Sequence, residues 1–303
     1  MTPALRKPNL FIIGAMKSGT TSLHAYLATH PEIAMSREKE PGYFVEELSL
    51  GKGEAWYLSL FERDERYRYV GESSTHYTKL PVYRGVPERL FRFNPEARLL
   101  YIMRNPLDRL VSHYWHAVRD LPRGGERLPL LQAVQEKPEY LAFGDYALQL
   151  QPYFDRFGKE AVLTLTFEAL IEDPQRELDR IYLWLGLPPH PIGAAAAKAH
   201  NRKPKTIRGV AGAGILNQIQ YSGPWHRISP LVPSWMKRWA KQQAYRPVDE
   251  AQSQEDIARL RAAIGERQQR QIERLSRLLG RDFPEWRAGD PVRERAQAAD
   301  QGM

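Results

Sequence analysis

Residues 9–23, NLFIIGAMKSGTTSL, constrain the fold of this chain more than any other segment. A short apolar run leads into a glycine-containing turn with Lys17 at its apex. Gly19-Thr20-Thr21-Ser22 then opens an amphipathic helix with Leu23, Tyr26 and Leu27 on one side. A strand, a tight turn and a helix N-terminus in that order make a cradle for phosphate. Backbone N–H groups converge there, the helix dipole favours negative charge, and a lysine with neighbouring hydroxyls completes the shell. The spacing departs from the nucleotide-triphosphatase pattern GxxxxGK[ST], because Gly19 is followed directly by Thr20 and Lys17 lies two residues earlier.

The rest of the first two thirds repeats this alternation. Runs 9–14, 68–73, 98–103 and 161–167 have the length and bounding residues of buried strands. Helical patterns cover Thr20–Thr29, Pro87–Phe93, Pro106–Arg119, Tyr140–Phe157 and Asp173–Leu185. Near-continuous apolar strands separated by helices imply an α/β domain with a parallel sheet and helices on both faces. Asn105 suits an N-cap, Pro106 a first helical position and Asp108 the third, so the helix at 106 starts directly after the strand 98–103. Beyond Leu187 the texture changes to a Pro-, Ala-, Gly- and Lys/Arg-rich segment. A Trp-rich stretch (Trp225, Trp235, Trp239) follows, then a charged helical pattern from about Glu255 to Leu279. We expect one domain over 1–286, with a nucleotide-binding core at about 9–187 and a late basic loop and C-terminal helices at about 188–286. Residues 287–303 read as a disordered tail.

Composition removes several classes of function. With no cysteine there are no disulfides, thiolate metal sites or cysteine nucleophiles, which suits a reducing compartment, and a cytoplasmic location is expected. No apolar run approaches the roughly 20 residues that a membrane-spanning helix requires. The formal net charge of +8 suggests an anionic ligand without naming it.

The second constellation is R104-N-P-L-D-R109-L-V-S112-H-Y-W-H116. An arginine at a strand end and a hydroxyl on the following helix make a second anion clamp, and Arg109 and Ser112, three apart, can share a face. Arg104 also stands where a nucleotide triphosphatase would carry the Asp that holds magnesium.

The pairing of KSGTTSL with RNPLDRLVSHYWH resembles the sulfotransferases that use 3′-phosphoadenosine 5′-phosphosulfate (PAPS), above all the bacterial group and the heparan-sulfate branch. The likeness extends through Glu40-Pro41-x-Tyr43-Phe44 to the LGRDFPEW ending. It implies a P-loop-like three-layer domain with C-terminal helices packed on it. It also implies PAPS as donor, PAP as product and no metal. By the resemblance, Lys17, Gly19, Thr20 and Thr21, with Ser18 and Ser22 in the same loop, hold the 5′ side, and Arg104 and Ser112 hold the 3′-phosphate. Glu40 matches the general base of the heparan-sulfate branch, which takes the proton as an acceptor hydroxyl or amine attacks sulfur. Lys39 and Glu38 stand close enough to compete for that role, and His76 is the alternate, since other sulfotransferases use a histidine. A late Lys/Arg-Gly loop closes over PAPS in the family; Arg208-Gly209 with Gly212 matches it, and Lys203 or Lys205 would serve equally. Tyr43, Phe44, Tyr77, Trp115 and Trp225 are either acceptor-cleft aromatics or core. The expected acceptor is a carbohydrate, lipid or natural product, not a nucleic acid. The competing readings are a P-loop kinase or NTPase and a non-catalytic nucleotide-binding module.

Overall fold

A computed structural model describes residues 7–62, 64–119, 125–193, 207–209, 245–247 and 250–287. Five strands form one parallel sheet: β1 (Leu10–Gly14), β2 (Ile33–Met35), β3 (Tyr69–Ser73), β4 (Arg98–Met103) and β5 (Val162–Thr166), in the order β2-β3-β1-β4-β5. The helices are α1 (Thr20–Leu27), α2 (Glu54–Leu58), α3 (Val86–Phe93), α4 (Pro106–Arg119), α5 (Leu130–Glu136), α6 (Glu139–Ala142), α7 (Tyr146–Phe157), α8 (Phe167–Glu172), α9 (Pro174–Leu185) and α10 (Glu250–Leu279). A short antiparallel pair, β6 (Ile207–Gly209) and β7 (Tyr245–Pro247), and 3-10 turns at Leu50–Lys52, Thr75–Thr78, Lys159–Ala161 and Pro284–Trp286 complete the described elements.

Side-chain alternation along the strands builds two cores. Leu10, Ile12, Leu100, Ile102 and Leu165 pack with Leu23, Tyr26 and Leu27 of α1 and with Leu178, Ile181 and Tyr182 of α9. Phe11, Ile13, Leu99, Tyr101 and Met103 face the other way, toward Tyr43, Phe44, Tyr57, α7 and the C-terminal Leu275, Phe283 and Trp286. The central strands are therefore covered on both faces, as their unbroken apolar sequence requires. Tyr43, Phe44 and Tyr77 belong to this second core and not to an open cleft.

Where the elements depart from expectation, the cause is local. The pattern over 140–157 is two helices: Gly144 and Asp145 interrupt it, and Asp145 caps α7 by accepting from Leu148 N. Strand β2 has no sequence signature, because it has only three residues and takes its stability from pairing with β3. The C-terminal helix starts at Glu250, one turn or more before its apolar stripe.

The chain divides into two compact units, residues 1–109 with 141–203 and 267–303, and residues 110–140 with 204–266. The first holds the sheet. In the second, the buried Glu126 carboxylate organises the turn before α5, accepting from Arg127 N, Leu128 N, Lys137 Nζ and Tyr140 OH at 2.8–3.1 Å. Among the described residues, no helix is long and apolar enough to cross a membrane.

Candidate active site

The strand order places a topological switch between β1 and β4. The chain leaves β1 toward β2 and leaves β4 toward β5, so their carboxyl ends form the switch point, the position where open α/β sheets bind ligands. Both anion motifs of the sequence end there. Gly14 closes β1 because any side chain would run into Thr78 and Tyr101. Ala15 N then donates to Ile102 O at 2.7 Å, tying the loop to β4. Gly19 turns into α1 with φ of +92°, and a Cβ there would stand 2.7 Å from the Phe167 ring. Only glycine meets both demands.

Gly19 caps α1 without a side-chain hydrogen bond, so the amides of Thr20, Thr21 and Ser22 lack the cap that usually satisfies a first turn. Thr21 is exposed, Ser22 half-buried and Thr20 buried at the base. Ser18 is fully buried, and its amide donates to Ala15 O at 3.2 Å, closing the turn. Lys17, at the turn of the loop, has φ of +68°.

Arg104 follows β4 and is 3% exposed. Its guanidinium lies 4.9 Å from the centre of the Phe167 ring, the same ring that Gly19 abuts, so the two anion motifs share one aromatic support. Tyr146 OH donates to Arg104 O at 2.6 Å and accepts from Arg104 N at 3.2 Å. Burial lowers the Arg104 pKa, with Asp108 and Glu168 opposing. Asn105 caps α4 through Leu107 N and Asp108 N at 3.0 and 3.2 Å. Its amide N donates to Glu168 Oε1, and its side chain donates to Trp286 O, while Trp286 Nε1 donates to Glu168 Oε2. The LGRDFPEW ending thus fastens the start of α4. Ser112 sits six residues into that helix and is half-buried.

Glu40 lies past β2, where its own N–H donates to Ser73 O at the end of β3. Its φ is +60°, and Lys17 and Glu40 are the two non-glycine residues with positive φ among the described residues. The carboxylate is saturated with donors. Lys39 Nζ donates to Oε1 at 2.7 Å, and Thr75 N and Oγ1 donate to Oε2 at 2.7 and 3.1 Å. His76 Nδ1 stands 3.3 Å from the same Oε2 without hydrogen-bonding to it. Burial alone would raise the Glu40 pKa, but His76 and Lys39 outweigh it and draw it down to about 2. Lys39 Nζ also reaches Thr20 Oγ1 at 3.4 Å, joining this carboxylate to the first residue of α1.

Several participants had no sequence signal. His24 shares a 2.5 Å hydrogen bond with Ser73, and burial together with Lys39 lowers its pKa to about 4. Burial likewise lowers Lys79 to about 8, with Glu40 opposing and Arg109 adding. Beneath the loop the fully buried Glu72 accepts from Tyr57, Tyr77 and Ser74, and Ser74 in turn accepts from Gly42 N. Burial pushes the Glu72 pKa up to about 7 against those hydrogen bonds, with the charge of Glu40 adding to the rise. Alternation marked Glu72 as a strand residue and nothing more. Of the late candidates, Arg208 and Gly209 fall in β6; Lys203, Lys205, Gly212, Trp225 and the tail from 288 lie outside the described residues.

The chain is similar to known proteins in sequence and in fold. Residues 7–206 match the sulfotransferase domain model. Mouse (Mus musculus) heparan sulfate glucosamine 3-O-sulfotransferase 3B1 is 28% identical over 190 residues, 59% of this chain and 46% of that protein. The human (Homo sapiens) heparan sulfate glucosamine 3-O-sulfotransferase 6 is 29% identical over 191 residues, 60% of this chain and 53% of that protein. The chain therefore spans about half the length of these relatives. A crystal structure of a sulfotransferase from Alicyclobacillus acidocaldarius, 26% identical, superposes with a TM-score of 0.62 over 93% of this chain and 99% of that one. With its cradle on β1, its arginine after β4 and two thirds of its length under the family model, the chain belongs to the sulfotransferase domain family.

Proposed function

We propose that residues 1–286 act as one catalytic domain that transfers the sulfuryl group of PAPS to a hydroxyl or amine of a carbohydrate, lipid or natural-product acceptor. The observation that supports this reading is that Gly19 and Arg104 both lie against the Phe167 ring, which brings the two candidate anion-binding segments together. The bare first turn of α1, with Lys17, takes the 5′-phosphosulfate. Arg104 takes the 3′-phosphate, with Ser112 as the second contact expected of the family. The acceptor oxygen attacks sulfur in line as its proton passes to Glu40. The bond between sulfur and the bridging oxygen breaks with its electron pair left on the phosphate of PAP, where Lys17 offsets the developing charge. The heparan sulfate relatives modify a glucosamine hydroxyl, which supports an O–H acceptor here. A kinase reading has less support, because Arg104 follows β4 where that chemistry would need a metal-holding carboxylate.

The test is binding followed by transfer. PAP at saturation raises the melting temperature, since the ligand stabilises only the folded chain. Labelled PAPS then marks one or more members of a panel of sugars, lipids and phenolic alcohols. An unmoved melting temperature with PAP overturns the reading.

A further inference from the structure

Glu40 is arranged as a poor base. A carboxylate with a pKa near 2 has little affinity for an acceptor's proton at neutral pH; His76 and Lys39 hold it there, and Lys39 does so through both its charge and a direct hydrogen bond, 2.7 Å from Oε1. The same ammonium lies 3.4 Å from Oγ1 of the buried Thr20, the first residue of α1, at the base of the proposed cradle for the sulfuryl end of the donor. Lysine carries three donors on a flexible stem, and the Lys39 side chain is 26% exposed, so it can turn from one acceptor to the other.

Resting on the sulfotransferase reading above, we propose that Lys39 is a catalytic residue that leaves Glu40 for the sulfuryl oxygens when PAPS binds, so that the base is released only in the presence of the donor. Two consequences follow from one movement. The cation that suppressed the base now withdraws electron density from the sulfur, and the carboxylate regains proton affinity as the acceptor arrives. The other groups facing Glu40 do not move in this way. Thr75 is held in the turn after β3, His76 approaches from the same turn, and His24 is tied to Ser73. Lys79 and Glu72 act through charge, with Arg109 acting on Lys79. In PAP the sulfuryl group is missing, so Lys39 stays with Glu40.

Calorimetry of PAP and PAPS binding without acceptor separates the two states. Lys39→Met weakens PAPS by about 10- to 100-fold, the range of a hydrogen bond to a charged group. PAP affinity changes by less than about twofold, which also shows that the cradle is folded, and Lys39→Arg restores part of the PAPS affinity. An equal effect on both nucleotides, or none on either, overturns the proposal. A second measurement needs no variant at Lys39. In the native chain labelled with ¹³C-glutamate, Glu40 is assigned by the signal that Glu40→Gln removes, and its titration midpoint is followed with and without PAPS. The midpoint rises toward the ordinary carboxylate value of about 4.3 when PAPS is bound; an unchanged midpoint overturns the movement. If the native chain binds neither nucleotide, the sulfotransferase reading falls with it. If it binds both and the two measurements show no donor-specific change, only the role of Lys39 falls.

Discussion

The proposed donor cradle and the loop that carries Glu40 adjoin one another at the carboxyl end of the sheet, yet they are built by opposite means. The cradle is made of backbone: glycines at 14 and 19 admit close approach, and the uncapped first turn of α1 presents amides. Its chemistry is fixed by residues adjacent in sequence. The Glu40 loop works through side chains gathered from afar, with Thr75 and His76 arriving 35 and 36 positions later and Ser74 anchoring Gly42. A backbone cradle recognises an anion irrespective of the chemistry that follows, whereas a side-chain network tunes one proton acceptor. Damage to the first should therefore appear in binding and damage to the second in turnover.

Glu40→Gln breaks this comparison most sharply if it is wrong. The exchange keeps the volume and removes the proton acceptor, so turnover falls by roughly 10²–10⁴. PAP affinity stays within about twofold, since the proposed nucleotide contacts do not include this group. Single-turnover transfer and calorimetry on the same preparation read both quantities. A variant that keeps most of its activity would move the base elsewhere.

The second test sets the two carboxyls of this edge against each other. Glu72 has its folded pKa raised by burial to about 7, above the ordinary value near 4.5. The folded chain therefore holds that proton more tightly than the unfolded one. Its contribution to stability is complete below about pH 4.5 and is lost as pH rises through about 7. Glu40 is the reverse: its folded pKa is near 2, so its contribution is present above about pH 4.5 and lost as pH falls toward 2. Glu72→Gln should remove the decline between pH 4.5 and 7, worth on the order of 3 kcal/mol in urea denaturation. A variant whose stability tracks the native chain across that window would show that Glu72 does not titrate there.

Arg104→Ala tests the cradle side. PAP binding should weaken by about 1.5–3 kcal/mol, the range for hydrogen bonds to charged groups. Adenosine 5′-phosphosulfate, which lacks the 3′-phosphate, should lose much less. Equal losses would place Arg104 away from the 3′-phosphate and undo its pairing with Gly19 on Phe167.

Legibility in the sequence followed the same division. The sheet and α4 could be read from apolar runs, Asn105 and Pro106, because their signals lie within a few residues of one another. The turn from β1 into α1 was legible for the same reason. Strand β2 was not, since three residues carry no periodicity, and the break at Gly144-Asp145 was hidden inside a helical pattern. Glu40 was singled out through a family resemblance, but its partners were not. Nothing in the spacing of Lys39, Thr75 and His76 says that they converge on one carboxylate, and no motif marks Phe167 as the support common to Gly19 and Arg104. Such contacts arise from strand order, and strand order is a property of the whole sheet.

The smallest effect is expected at His76, which decides which kind of base this edge carries. Its Nδ1 lies 3.3 Å from Glu40 Oε2 without a hydrogen bond, while Thr75 gives that oxygen two. His76→Asn thus leaves the carboxylate held by Thr75 and Lys39. What it removes is one neighbouring dipole and a ring 5.9 Å from that of Tyr83. A loss no larger than one ordinary net hydrogen bond, about 0.5–1.5 kcal/mol, corresponds to a roughly two- to twelvefold drop in turnover, well short of the loss at Glu40. If instead His76→Asn abolishes transfer and Glu40→Gln spares it, the imidazole is the base and Glu40 orients it. The difference between the backbone cradle and the side-chain loop would survive that result, with the roles of the two residues in the loop exchanged.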